Sequence, residues 1–219
     1  MDAQSRKIPS HELTYARLRD MILYGHIPPG AAVTIQGLIA DLDAGMTPVR
    51  EALRRLTAEG ALDLQGNRRV VVPRLTEAML AQLSFARLTI EPELAALAAR
   101  HLTPALIAEL EAIDAKLDAA IRAHDIPAYL EQNHAFHFRL YEASQAPVLV
   151  DIARSMWLRF GPSLRVVCAR FEEWALPDRH MEALGAMHAG DAAALRAAIS
   201  SDIEQGLDQV RLALAQGAI

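Results

Sequence analysis

Apolar positions recur at helical spacing along most of the chain. Over residues 11–24, Leu13, Ala16, Leu18, Met21 and Ile22 supply one apolar side, which predicts a first helix. The run Gly25-His26-Ile27-Pro28-Pro29-Gly30 breaks it. A short second helix is expected over 34–41 and a third over 47–59. In the third, Val49, Ala52, Leu53 and Leu56 make one stripe. Thr47 is placed to cap this helix and Pro48 to open it, where a missing N–H costs nothing. Gly60 stands just past its end. The period then changes. Residues 62–65 and 68–72 are short β-prone runs on either side of Gly66-Asn67, and they predict a hairpin. Three helices followed by a hairpin is the order of a winged helix-turn-helix.

Beyond Pro73-Arg74-Leu75, a linker short enough to hold two domains close, no alternating pattern returns. Helices are expected over 77–101, where Pro92 should kink or split the run, then over 103–123, 127–143 and 147–170. Gly161-Pro162 should break the last of these. Further helices follow over 177–188 and, capped by Asp191, over 192–215. The expected fold is mainly α. It comprises a winged helix-turn-helix over residues 1–73 and an antiparallel bundle of six or seven helices over 74–219.

Composition changes this picture little. The 219 residues are 52% hydrophobic and 22% charged, an ordinary globular balance. The single cysteine, Cys168, excludes an internal disulfide and a Cys-rich zinc site, so a reducing cytoplasm is expected. The first ten residues are polar and read as a tail whose Arg6 and Lys7 could touch phosphate; no apolar run reaches membrane-spanning length, and no membrane partner is expected. The net charge of −5 is uneven: residues 1–76 hold 10 Lys/Arg against 8 Asp/Glu, and residues 77–219 hold 12 against 19. A slightly basic front joined to an acidic body suits a chain that meets nucleic acid at one end.

The third helix carries the chemistry of that front. Arg50, Arg54 and Arg55 project from faces other than the apolar stripe. A helix N-terminus attracts phosphate, and an arginine can pair bidentately with guanine in the major groove of a double-stranded operator. The hairpin tip, with Asn67, Arg68 and Arg69, can reach a minor groove or the backbone. The strings TPVREALRRLTAEGAL and GNRRVVVP resemble the DNA-binding domain of the GntR family of bacterial transcription regulators. The resemblance implies that Thr47 and Arg50 face DNA, together with the wing around Gly66 and Asn67. The family commonly has Ser-Arg just before Thr-Pro, where this chain has Gly45-Met46. One guanidinium is therefore missing, and the operator sequence does not carry over.

In the bundle, Asn133 and His137 are four residues apart and share a helix face. His180 lies on a later helix and Asp202 on the last. Spacing alone leaves open whether these are ligands or hydrogen-bonded structural histidines. The pieces Arg87-x-x-x-Glu91, NHAFHFRLYEA from Asn133, RHMEAL from Arg179 and Gly190-Asp191-Ala192 resemble the effector domain of the FadR-like branch, known as FCD. Many such regulators hold a divalent metal with an Asp and three His at the floor of the effector cavity. The resemblance carries those positions onto Asn133, His137, His180 and Asp202. Two imidazoles, one carboxylate and one amide oxygen suit Zn²⁺, Ni²⁺ or Mn²⁺, although the weaker amide donor should lower affinity. A metal-free polar pocket that hydrogen-bonds its ligand directly is the alternative. Arg87, by resemblance, and Arg159, beside the expected helix break, are the cations expected to meet a small carboxylate effector, with Arg165 a third candidate.

Three function classes follow. The first is a homodimeric, ligand-responsive transcription regulator, a repressor, which does no catalysis. The second is a metal-dependent enzyme built on His137, His180 and Asp202; no distinct nucleophile or general base supports it. The third is a DNA-architectural dimer without effector.

Overall fold

A computed structural model describes residues 10–66, 69–168 and 178–217. The first half holds α1 (Ser10–Leu23), β1 (Ala32–Val33), α2 (Ile35–Leu42), α3 (Met46–Ala58), β2 (Asp63–Leu64) and β3 (Val70–Val71). Thr34 caps α2 by accepting a hydrogen bond from the Gly37 amide. The anticipated stripe of α3, Val49, Ala52, Leu53 and Leu56, is buried. One detail differs: Gly45, not Thr47, is the N-cap of α3, and no side chain caps it. Thr47 is therefore free to face outward in the first turn, where it is exposed. The hairpin forms with Asp63 opposite Val71 and Leu64 opposite Val70. A third strand, β1, pairs with the other edge of β3. Two residues are too few to leave a periodic signal in sequence. Asn67 and Arg68 at the wing tip, and Arg6 and Lys7 in the tail, lie outside the described residues.

The second half holds α4 (Glu77–Ala98), a 3₁₀ turn (Ala99–His101), α5 (Pro104–Arg122), α6 (Ile126–Glu142), α7 (Pro147–Cys168), α8 (Arg179–Ala189) and α9 (Ala192–Ala215). Thr76, Thr103, Asp125, Asp178 and Asp191 cap their helices through side-chain oxygens. Neither helix is split at its proline. Pro92 lies inside α4 and Pro162 inside α7. Both are buried, so packing on either side outweighs the one lost backbone bond. Gly161 has a separate reason to be glycine. A Cβ there would come within 2.3 Å of the Leu23 carbonyl oxygen, so α7 and the end of α1 meet at backbone distance. The helix is closely approached at this point, not broken.

The two halves share one continuous core. Leu23, Leu56 and Leu75 belong to the same buried cluster as Leu94, Leu158 and Leu195. His134 on α6 sits at this seam, edge-on to Tyr24 of α1 and to Trp157, and stacked on Phe138 at 4.3 Å. Burial, helped by the charges of Arg19, His137 and Arg154, lowers its pKa to about 3. The unfolded chain would bind a proton near pH 6.5 that the native state refuses. Stability is therefore lost as pH falls from about 6.5 towards 3, by about 2 kcal/mol at pH 5. His134→Phe should flatten the loss of thermal stability between pH 6.5 and 5. A pH profile parallel to wild type would remove this role.

Candidate functional site

The candidate DNA-facing surface lies at the start of α3 and the start of α1. Ser10, His11, Thr47, Pro48, Arg50, Glu51 and Arg54 line one open hollow. Arg50 is exposed and makes no ion pair with any described residue. Arg54 is already engaged, with Nη2 donating to Glu51 at 2.8 Å. Arg55 lies across the surface towards α1 instead. It lies 3.6 Å over the Tyr15 ring and pairs with Glu59 and Glu12, so it braces α3 against α1. Gly66 stands at the exposed wing with open space around it.

The second site lies inside the bundle. Asn133 and His137 come from α6, His180 from α8, Asp202 from α9, and Arg87 and Glu91 from α4. His137 Nε2 stands 3.0 Å from Asp202 Oδ2, and His180 Nε2 stands 3.9 Å from Asp202 Oδ1. Donor atoms of all three residues fall within 4.8 Å of one another. The other nitrogen of each ring is occupied. His180 Nδ1 bonds Asp114 Oδ1 at 2.9 Å. His137 Nδ1 bonds the Tyr141 hydroxyl at 3.0 Å, and that hydroxyl donates to Glu91. A ring whose Nδ1–H is donated in this way presents a bare Nε2 lone pair. Two such lone pairs therefore face the Asp202 carboxylate. Like-signed atoms at these distances need a cation or a proton between them. Two ligands of one ion at bonds of ~2.1 Å stand roughly 3.0–3.4 Å apart, so the residues present fit a divalent metal.

The electrostatics agree. Asp114, Glu91 and Asp202 bring three carboxylates to this centre, against one guanidinium, Arg87. With protons rather than a metal in the gap, His137 and His180 carry charge, and the hydrogen bond from His137 with the charges of His137, His180 and Arg87 holds Asp202 down to about 2 against burial. Burial alone would lower the His180 pKa, yet Asp114 and Asp202 raise it. Phe136 stacks on His180 at 4.0 Å and fixes the ring plane.

A cavity of about 70 Å³ opens beside these residues, lined in part by Asn133, His137, Asp202, Trp157, Phe160 and Gln209. Asn133 and Gln209 are 8% and 7% exposed and hydrogen-bond no described residue. Two unsatisfied amides aimed into one hollow are a place for a ligand. Arg87 also lines it but is largely committed: Nε and Nη2 both donate to Glu91, at 2.6 and 3.2 Å. Arg159 and Arg165 are not in the lining. Arg159 donates from Nε and Nη2 to the backbone oxygen of Glu59, at 3.2 and 3.0 Å. Arg165 packs against Gly25. The helix break expected to swing Arg159 inward does not form, and on a continuous α7 it reaches Glu59 at the end of α3. Asp114 and Tyr141 escaped sequence reasoning. Asp114 lies on α5, 66 residues from His180, and nothing local marks it, whereas Tyr141 stands four residues after His137 on α6, a spacing that could have found it.

Comparison with known proteins assigns a family to each half of the chain. Residues 11–72 match the gntR family of bacterial regulatory proteins, and residues 82–205 match the FCD domain. The chain is 32% identical over 147 residues to the HTH-type transcriptional regulator McbR of Escherichia coli K12, across 67% of this chain and 66% of that protein. It is 23% identical over 207 residues to the HTH-type transcriptional repressor RspR of the same strain, across 93% and 90%. The solved structure of E. coli McbR/YncC superposes with a TM-score of 0.84 at 25% identity, covering 94% of this chain and 98% of that one. Among the described residues, no helix is long and apolar enough to cross a membrane. The chain therefore belongs to the gntR family of bacterial regulatory proteins, as a DNA-binding transcription regulator whose helical half is an FCD effector domain.

Proposed function

We propose that the chain is a cytoplasmic, homodimeric repressor whose grip on a palindromic operator responds to a small carboxylate held in the bundle cavity on a divalent metal. The observation that carries this reading is the convergence of His137 Nε2, His180 Nε2 and Asp202 with both Nδ1 atoms already bonded. Asn133 is the fourth donor. A bound divalent ion would supply positive charge with positions open to the oxygens of a small anion. The Gln209 amide and the edge of Arg87 would orient that anion. Residues 1–73 read the operator through Thr47, Arg50, Arg54, Gly66, Asn67 and Arg68, and residues 74–219 bind the effector and dimerise.

A groove between α4 and α7 supports the dimer. It is lined by Met79, Leu83, Val148, Ile152 and Met156 among others, and Val148 is 71% exposed. Contiguous exposed apolar surface of this kind marks an interface. A repressor is favoured by the similarity to RspR, itself a transcriptional repressor.

Native mass spectrometry and metal analysis of the purified chain test the reading together. The expected result is a dimer mass with one divalent ion per chain, lost in a His137→Ala/His180→Ala variant that still binds DNA. Asp114→Asn should weaken Zn²⁺ binding by about 10–100-fold, because His180 loses the carboxylate that sets its tautomer. Wild-type protein that takes up no Zn²⁺, Ni²⁺ or Mn²⁺ would leave only the metal-free pocket. A catalytic turnover abolished by the double variant would favour a metalloenzyme instead.

A further inference from the structure

We infer that Arg159 is a positioning residue: from α7, the helix whose Trp157 and Phe160 wall the cavity, it holds the C-terminal end of the DNA-reading helix, so the attitude of α3 is set by the position of α7. Its guanidinium donates twice to the Glu59 carbonyl. Glu59 is the C-cap of α3, where unsatisfied carbonyls carry partial negative charge and favour a cation. The next residue, Gly60, has φ +75°, and a Cβ there would lie 2.8 Å from the guanidinium. A glycine at this turn lets the arginine lie against the chain.

The other end of the connection is the cavity. Arg159 stands between Trp157 and Phe160, and both line the hollow. Trp157 Nε1 donates to Glu91, which also holds Arg87 and the Tyr141 hydroxyl bonded to His137. Arg87 lies over both aromatic rings, at 4.7 and 4.6 Å. A hollow of about 70 Å³ is far below the roughly 300 Å³ at which ordinary ligand pockets begin. An organic anion larger than a few atoms must push the wall outward. Because α7 is unbroken from Pro147 to Cys168, displacement at Trp157 and Phe160 carries Arg159 with it. Gly161, in backbone contact with Leu23, makes the same helix bear on the end of α1, which packs on α3. One rigid element thus touches the cavity and the base of both helices that present the DNA face. The inference rests on the regulator reading of that cavity.

The test uses the full chain with nitroxide labels at Asp41→Cys on α2 and Lys116→Cys on α5, both exposed positions. The native Cys168 is buried and stays unlabelled. Pulsed dipolar spectroscopy reads the distance between the two domains. Arg159→Ala should broaden or shift that distribution, and Arg159→Lys, which keeps the charge but not the fork, should do so less. Affinity for a duplex selected by wild type from a random pool should fall roughly 2–30-fold, with Zn²⁺ uptake and melting temperature unchanged. A distribution superimposable on wild type overturns the inference. So does loss of Zn²⁺ uptake or of folding in both variants, which would make Arg159 a support of the bundle itself. Failure of the regulator reading would look different: wild-type protein would select no duplex, and the distance measurement would still decide the role of Arg159.

Discussion

Glu91→Ala should lower the stability of the chain by about 3–5 kcal/mol, the largest effect expected of any single substitution in the bundle. Glu91 has no solvent exposure and accepts from Arg87 twice, from the Tyr141 hydroxyl and from Trp157 Nε1. Alanine would leave the Arg87 guanidinium, itself 4% exposed, as a buried charge with its counter-ion gone, beside two donors without acceptors. At this chain length the melting temperature should drop by roughly 6–20 °C. Chemical denaturation gives the free energy directly. The control is Arg87→Met/Glu91→Leu, which removes both charges and should recover most of the stability. If the single variant melts with wild type, the pair is not the structural hub of the cavity.

Arg50→Ala should weaken binding to a selected duplex by about 1–3 kcal/mol, roughly 5–150-fold, without changing thermal stability. Its guanidinium is exposed on the first turns of α3 and enters no ion pair with a described residue, so it meets DNA without first leaving a partner. Arg54→Ala should cost less. Arg54 is bonded to Glu51, and contact with DNA would have to break that pair. Fluorescence anisotropy over a salt series separates the two roles: a base contact changes sequence preference, whereas a phosphate contact mainly lowers the salt slope. Equal affinities for wild type and Arg50→Ala would remove α3 as the reading element.

What was legible in the sequence was whatever is written at short range. The stripe of α3, the wing hairpin and the cap at Asp191 depend on residues within one or two turns, and all are present. The i, i+4 spacing of Asn133 and His137 puts both on the cavity. Apart from the cap of α3, which is Gly45 and not Thr47, the errors have one character. Pro92 and Gly161-Pro162 are helix breakers by local rules, but their surroundings are buried and override them. Arg159 was expected at the cavity because a break was expected beside it. Asp114 left no trace, since its bond to His180 spans 66 residues. Contacts made by the fold carry no period and no motif.

The shared core has a consequence for how such regulators can diversify. Leu23, Leu56 and Leu75 are buried with bundle residues, and Gly161 leaves no room at Leu23. The reading head is therefore not a cassette to be exchanged freely between sensors. A foreign head would need a chain end that tolerates backbone contact at Gly161 and a carbonyl offered to Arg159. Recombination between relatives would succeed where those few surfaces match, and would otherwise yield chimaeras with heads that hang loose.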